Sequence, residues 1–190
     1  MSFWDVLLGR TRVPPAQTDP LFALSTAIIT LESKAGWQPA GGAAVVLRPA
    51  EDSFYTKARI ETEELVTLAA REMNSQVVSK KDEYGYRWII LTDKDWEDLV
   101  ALAHMVGQNL KEKGAGDRLL AAVFKLKKES QVLFLIFNYK RGTFYPFIPV
   151  DERDKKRDNA QEMRLPSIMP KELPWEKDMS RWYALWGCPL

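Results

Sequence analysis

With 190 residues, 46% of them hydrophobic, the chain is long enough to bury about 70% of the surface its unfolded form exposes, so one core suffices without a disulfide or metal staple. Lys and Arg number 27 against 26 Asp and Glu, a net charge of +1, which excludes the overall basic bias of general nucleic-acid binders. The single cysteine, Cys188, rules out an intrachain disulfide framework; no apolar run reaches the roughly 18 residues of a membrane span, and the N-terminus lacks the basic and long apolar regions of a secretory signal.

The first ten residues place Phe3, Trp4, Leu7 and Leu8 on one helical side, with Arg10 and Arg12 following. Such a face suits a membrane surface, a partner helix or the protein's own core. Val13-Pro14-Pro15 reads as a stiff tether, so residues 1–18 form an amphipathic segment and linker ahead of a core domain over 19–150.

The core domain opens with a helix from Asp19-Pro20, where the aspartate can cap and the proline can enter the first turn, to Gly36. Leu21, Leu24, Ile28 and Leu31 are its buried stripe. After a turn at Pro39-Ala40-Gly41-Gly42 come a strand over Ala43–Arg48 and a helix over about Lys57 to Met73 with Leu65, Leu68 and Ala69 inward. Gln76–Lys80 and Tyr84–Leu91 read as a hairpin around Lys81-Asp82-Glu83. The next helix is capped by Asp93 or Asp95, carries Trp96, Leu99, Val100, Ala103, Val106 and Leu110 inward, and stops at Gly114 and Gly116. His104 lies off that stripe, as a surface residue.

Leu119–Leu126, Gln131–Asn138 and Thr143–Val150 then form an antiparallel meander with short links. Val132 to Phe137 is apolar at every position, so both its faces need cover, and Pro146 and Pro149 push the third strand to an edge. Residues 151–190 begin with a charge run read as a surface segment or polar helix. They end with Trp175, Met179, Trp182 and Trp186 at helical spacing between Pro174 and Gly187, which predicts a terminal helix packed on the core. The whole reads as a single α+β domain, a largely antiparallel sheet of about five to six strands with flanking helices on at least part of both faces.

Catalytic motifs are wanting. Gly36 to Gly41 has phosphate-loop spacing, but Gly42 and Ala43 stand where lysine and a hydroxyl residue belong. Gly114-Ala115-Gly116 follows a helix and meets Leu119 where a dinucleotide fingerprint needs glycine. One histidine, one thiol and no nucleophile elbow leave carboxylate chemistry as the enzymatic alternative. No catalytic, metal or cofactor residue is assigned, and a non-enzymatic role is expected. The densest recognition signal is Tyr139-Lys140-Arg141-Gly142-Thr143-Phe144-Tyr145-Pro146-Phe147, a hairpin tip with two cations between aromatic strands. It serves either as a core-closing turn or as a tip that engages acidic groups of a partner.

These residues also carry a family likeness. Leu7-Leu8-Gly9-Arg10, Leu21-Phe22-Ala23-Leu24, the Tyr139-to-Phe147 block, Arg157-Asp158-Asn159 with Glu162, and Asp178-Met179-Ser180-Arg181-Trp182 with Trp186-Gly187 together resemble the PspA-associated proteins called PspAB, linked to the phage-shock, membrane-stress system. The chain departs at Ser25 and Ala184, where proline is expected. The resemblance implies association with PspA, a coiled-coil, membrane-remodelling stress protein, with no catalytic activity or cofactor. The element order is also similar to type III secretion chaperone-like and YbjN-like domains. On this reading the protein is a cytoplasmic, non-catalytic adaptor for PspA that takes no nucleic acid. Its partner-binding candidates are Lys140, Arg141, Gly142, Phe144, Tyr145, Arg157, Asp158, Asn159, Glu162, Arg181, Trp182 and Trp186. The alternatives are peripheral binding at the inner face of the cell membrane through Phe3, Trp4, Leu7, Leu8 and Arg10, and a carboxylate-dependent enzyme.

Overall fold

A strand without a polar face has to be covered twice, and the route by which the chain covers Val132–Phe137 sets the architecture. The computed structural model of the protein describes residues 16–50 and 52–190. After a 3-10 turn at Asp19–Phe22 come α1 (Ala23–Ser33), β1 (Gln38–Leu47), α2 (Ser53–Glu72), β2 (Gln76–Lys81), β3 (Arg87–Thr92) and α3 (Trp96–Glu112). The second half runs β4 (Leu119–Lys128), β5 (Gln131–Asn138), β6 (Thr143–Phe147), β7 (Pro149–Asp151), β8 (Lys156–Arg157), α4 (Asn159–Ile168) and a last 3-10 turn at Met179–Arg181. Six strands form one antiparallel sheet in the order β2-β3-β1-β4-β5-β6, and β7 pairs with β8 in a separate ribbon. The fold is α+β, with the β4–β5–β6 meander and the β6 edge where the sequence places them.

Alternation along the strands divides the interior into two cores. Ala43, Val45 and Leu47 of β1 and Leu133, Leu135 and Phe137 of β5 face the helices, packing with Leu24 and Leu31 of α1, Val66 of α2, Leu99, Ala103 and Val106 of α3, and Leu165 of α4. Ala44, Val46, Val123, Phe134 and Ile136 face the other way, against Trp88, Tyr145, Phe147 and Trp182. The chain's last residues, Ala184, Leu185, Trp186, Cys188 and Leu190, complete that second core.

Helices therefore cover only one face of the sheet; the expected second helical layer is a tail. The terminal helix is absent, and its backbone explains why. Phe144 N donates to Pro174 O and Glu176 N to Phe144 O, each at 2.8 Å, so the stretch around Trp175 is bridged to the β6 edge instead of winding up. Trp175 then joins the helix-side core while Trp182 joins the opposite one. Their helical spacing arises because the segment passes around the sheet edge.

Other boundaries shift for local reasons. Pro39 to Gly42, expected as a turn, belongs to β1, which pairs Gln38 with Lys127 and absorbs the extra residues in a bulge between Pro39 and Gly42, where Gly41 has φ +71°. Asp52 caps α2 by accepting Tyr55 N at 2.7 Å, starting that helix ahead of the expected Lys57. Asp95 caps α3 as expected, accepting Glu97 N and Asp98 N, whereas Asp19 caps nothing and faces His104 at 3.8 Å. The charged stretch after Val150 divides into the β7–β8 ribbon and α4, which Asp158 caps.

The largest correction concerns the face of α2. Leu65 and Leu68, expected inward, are 43% and 59% exposed. The buried stripe is Tyr55, Ala58, Thr62, Val66 and Ala70. Ala58, Thr62 and Ala70, the small members of this stripe, let α2 settle close to α3 and β2, and Thr62 satisfies its hydroxyl by donating to Ala58 O at 2.8 Å.

Candidate functional site

The hairpin tip and the segments after it form a clasp within the chain. Arg141 Nε donates to Glu176 Oε2, and Thr143 Oγ1 adds a 3.3 Å bond to the same oxygen. Gly142, at φ +64°, is closed over by Gln17, while Phe144 and Tyr145 are buried. Arg157 Nε donates to both oxygens of Glu162 at 2.9 Å, its Nη1 to Trp182 O at 2.8 Å and its Nη2 to Pro146 O at 3.3 Å. The guanidinium also lies 5.0 Å from the Phe147 ring centre. Asp158 accepts Gln161 N at 2.9 Å, Arg181 pairs with Asp178 at 3.0 Å, and Trp186 stands edge-on to Phe147 at 4.8 Å. Of the residues singled out in the sequence, Lys140 and Asn159 make no such side-chain tie, and Asn159 is exposed. Phe3, Trp4, Leu7, Leu8 and Arg10 lie outside the described residues.

A different surface is open. The outer side of α2 exposes Phe54, Ile60, Leu65 and Leu68, and Met105 of α3 adjoins the last two. Leu65, Leu68, Ala69 and Met105, with Arg71 and Glu72 at the rim, line a shallow groove of about 500 Å³. A second groove of about 450 Å³ runs past Ile60, Glu64 and Leu68. Midway, Glu61 is held between Lys57, at 3.9 Å, and Lys113, the residue just after α3. The hydrogen bond and charge of Lys113 lower the Glu61 pKa, so this carboxylate stays ionised at neutral pH.

The model of the family "PspA associated protein B" matches residues 1–190, the entire chain. The chain belongs to the PspA associated protein B family. No curated protein and no solved structure matches it. Within this PspAB chain the family-like Tyr139-to-Phe147 block and Trp tail are the parts that knit the two cores together, whereas the apolar face of α2 is spent on no intrachain contact of comparable burial. Among the described residues of the PspAB chain, no group of three His, Cys, Asp or Glu could hold a metal ion, and no helix is long and apolar enough to cross a membrane. Cys188, in the tail of the second core, has its thiol pKa pushed up to about 11 by burial, which makes it a poor nucleophile. The His104 ring meets that of Phe22 at a 37° tilt with centres 4.2 Å apart, and burial lowers its pKa against the opposing pull of Asp19.

The apolar side of α2 escaped the sequence reading because α2 has two candidate faces. The leucines are the more hydrophobic, and hydrophobicity alone assigns them to the core. The usable signal was the spacing of Tyr55, Ala58, Thr62, Val66 and Ala70, which is at least as regular.

Proposed function

We propose that this protein is a non-catalytic accessory factor that docks on PspA in the cytoplasm, laying the outer face of α2 and the neighbouring edge of α3 against a PspA helix. The observation that carries this reading is the exposed row Ile60, Leu65 and Leu68 beside Met105, flanked by charges of both signs. Family membership supports PspA as the partner, and the coiled coil expected of PspA is the type of partner that such a groove accommodates. An amphipathic helix binds by inserting apolar anchors spaced three to four residues apart into a complementary groove. Each leucine-sized side chain moved from water into such a contact contributes about 1.5–3 kcal/mol when fully buried. Glu64, Arg71 and Glu72 along the rim would set orientation and register more than affinity.

Co-purification with oligomerised PspA from the same organism tests the reading. The wild-type chain is expected to retain PspA. Leu65→Glu with Leu68→Glu is expected to abolish retention while leaving thermal stability nearly unchanged, because both side chains are exposed. Failure of the wild type to retain PspA overturns the partnership, and retention by the double variant overturns the surface.

A further inference from the structure

A second feature lies at the start of α2, where Arg48, Pro49 and Ala50 after β1 and the β2–β3 turn stand beside its first turns. Together with α2 they line a cavity of about 230 Å³, open to solvent on one side, whose wall includes Arg48, Tyr55, Thr56, Arg59, Lys81 and Arg87. Four of these six side chains are cations, in a chain whose net charge is only +1. Among the described residues the counter-charges are few. Arg59 holds Glu63 at 2.8 Å and Arg87 reaches only the Ser79 hydroxyl at 3.5 Å. Arg48 and Lys81 have no carboxylate partner among the described residues. Asp82, in the β2–β3 turn, is already occupied by Tyr84 N, Tyr86 N and Trp88 Nε1.

Tyr55 is the independent sign of a ligand. It is only 4% exposed, it forms part of the cavity wall, and its hydroxyl is buried without a hydrogen-bond partner. An unmet buried hydroxyl costs about 1–3 kcal/mol, and burial raises its pKa, so it remains a protonated donor. A neutral donor among three arginines and a lysine requires an acceptor that is multiply charged and can be approached from several directions. Phosphoryl oxygens meet both needs, and the guanidinium fork matches them in pairs. The cavity has the volume of about eight liquid-water molecules, which is room for more than one phosphate.

We propose that this cavity binds a phosphoryl group in the form of a diphosphate or phosphate monoester. Nothing in this assignment depends on PspA docking, which uses the solvent face of α2. The phosphoryl group could belong to a soluble metabolite or to a lipid headgroup, and the experiment separates the two.

Inorganic pyrophosphate is titrated into the full-length protein by calorimetry, with amide chemical shifts recorded in parallel. One saturable site is expected, with shifts centred on Tyr55, Thr56 and Arg87. Arg48→Gln with Arg87→Gln is expected to weaken binding at least about tenfold. Lys81→Gln, on an exposed side chain, is the second variant should the double change disturb folding. Tyr55→Phe is the sharpest arm: without ligand it should melt at or above the wild-type temperature, because an orphan hydroxyl is gone, yet bind pyrophosphate several-fold more weakly. Flotation with vesicles of phosphatidylcholine, with and without phosphatidic acid, identifies the source. Acid-lipid-dependent flotation that is lost in the arginine variant assigns a headgroup; pyrophosphate binding without flotation assigns a soluble ligand. Undiminished binding in the charge variants, shifts centred elsewhere, or neither pyrophosphate binding nor arginine-dependent flotation overturns the site.

Discussion

Glu162 brings a carboxylate to a position that is 1% exposed, and the structure answers it with the Nε of Arg157 at 2.9 Å and the Ile148 N–H at 2.7 Å. Burial raises its pKa more than Arg157 and the Ile148 bond lower it, so the pair specifies geometry more than it adds stability. Removing one member is another matter, because Arg157 then loses its only carboxylate among the described residues and keeps just the Trp182 and Pro146 carbonyls, while the Ile148 N–H loses its acceptor. Glu162→Ala is expected to cost about 3–5 kcal/mol, read as a lower urea midpoint with an unchanged slope. Glu162→Gln keeps an acceptor for Ile148 N and should cost less. Arg157, Asp158, Asn159 and Glu162 are partner-binding candidates in the sequence through the family likeness, but in the structure the Arg157–Glu162 pair ties β6, the β7–β8 ribbon and α4 to the tail. A linear pattern of opposite charges reads the same whether it lies on the surface or beneath a tail that returns some 20 residues later.

Among the elements, α3 was the most legible, since Asp95 caps it and one stripe of large apolar residues has no competitor. The same helix contains Gly107, where propensity and packing disagree about substitution. Alanine is favoured over glycine by about 0.8–1.0 kcal/mol in a helix interior. At this position, however, an added Cβ would stand 2.9 Å from Tyr139 Cε1 and 3.2 Å from Thr18 Cγ2. Tyr139 is fully buried and donates to Ala103 O at 3.3 Å, so it has little freedom to withdraw. Overpacking of this kind costs about 1–3 kcal/mol. Gly107→Ala is thus expected to destabilise by about 1 kcal/mol net, a fall of about 2–4 °C in calorimetric melting temperature for a chain of this size; a rise would show that Tyr139 can move. The α2 and tail elements were less legible for a shared reason. Periodicity reveals that a face exists, but it does not say whether leucines or small residues meet the sheet, or whether tryptophans at helical spacing serve one face or two.

At the scale of the whole molecule, the two sides of the sheet are held by different means. The helix side is packed by regular elements, whereas the other depends on Trp182 and the residues after it to cover Val46, Trp88, Phe134, Ile136 and Phe147. The segment contributes neither strand nor helix, the last 3-10 turn at Met179–Arg181 lying just before it, so its hold comes from side-chain burial and from the bonds of Arg157 Nη1 to Trp182 O and Trp182 Nε1 to Glu176 O. Removing residues 182–190 would bare a continuous aromatic and aliphatic sheet face. Exposed patches beyond a few hundred Å² promote association. A chain ending at Arg181 is expected to keep most of its helical circular dichroism, because the helix-side core is intact, while binding a hydrophobic dye and self-associating in sedimentation. Trp186→Ala, which removes one half-buried ring from Phe147, should lower the melting temperature without self-association. If the shortened chain stayed monomeric and dye-silent at the wild-type melting temperature, the tail would be dispensable to the fold, and a second layer over this face would have to be sought elsewhere.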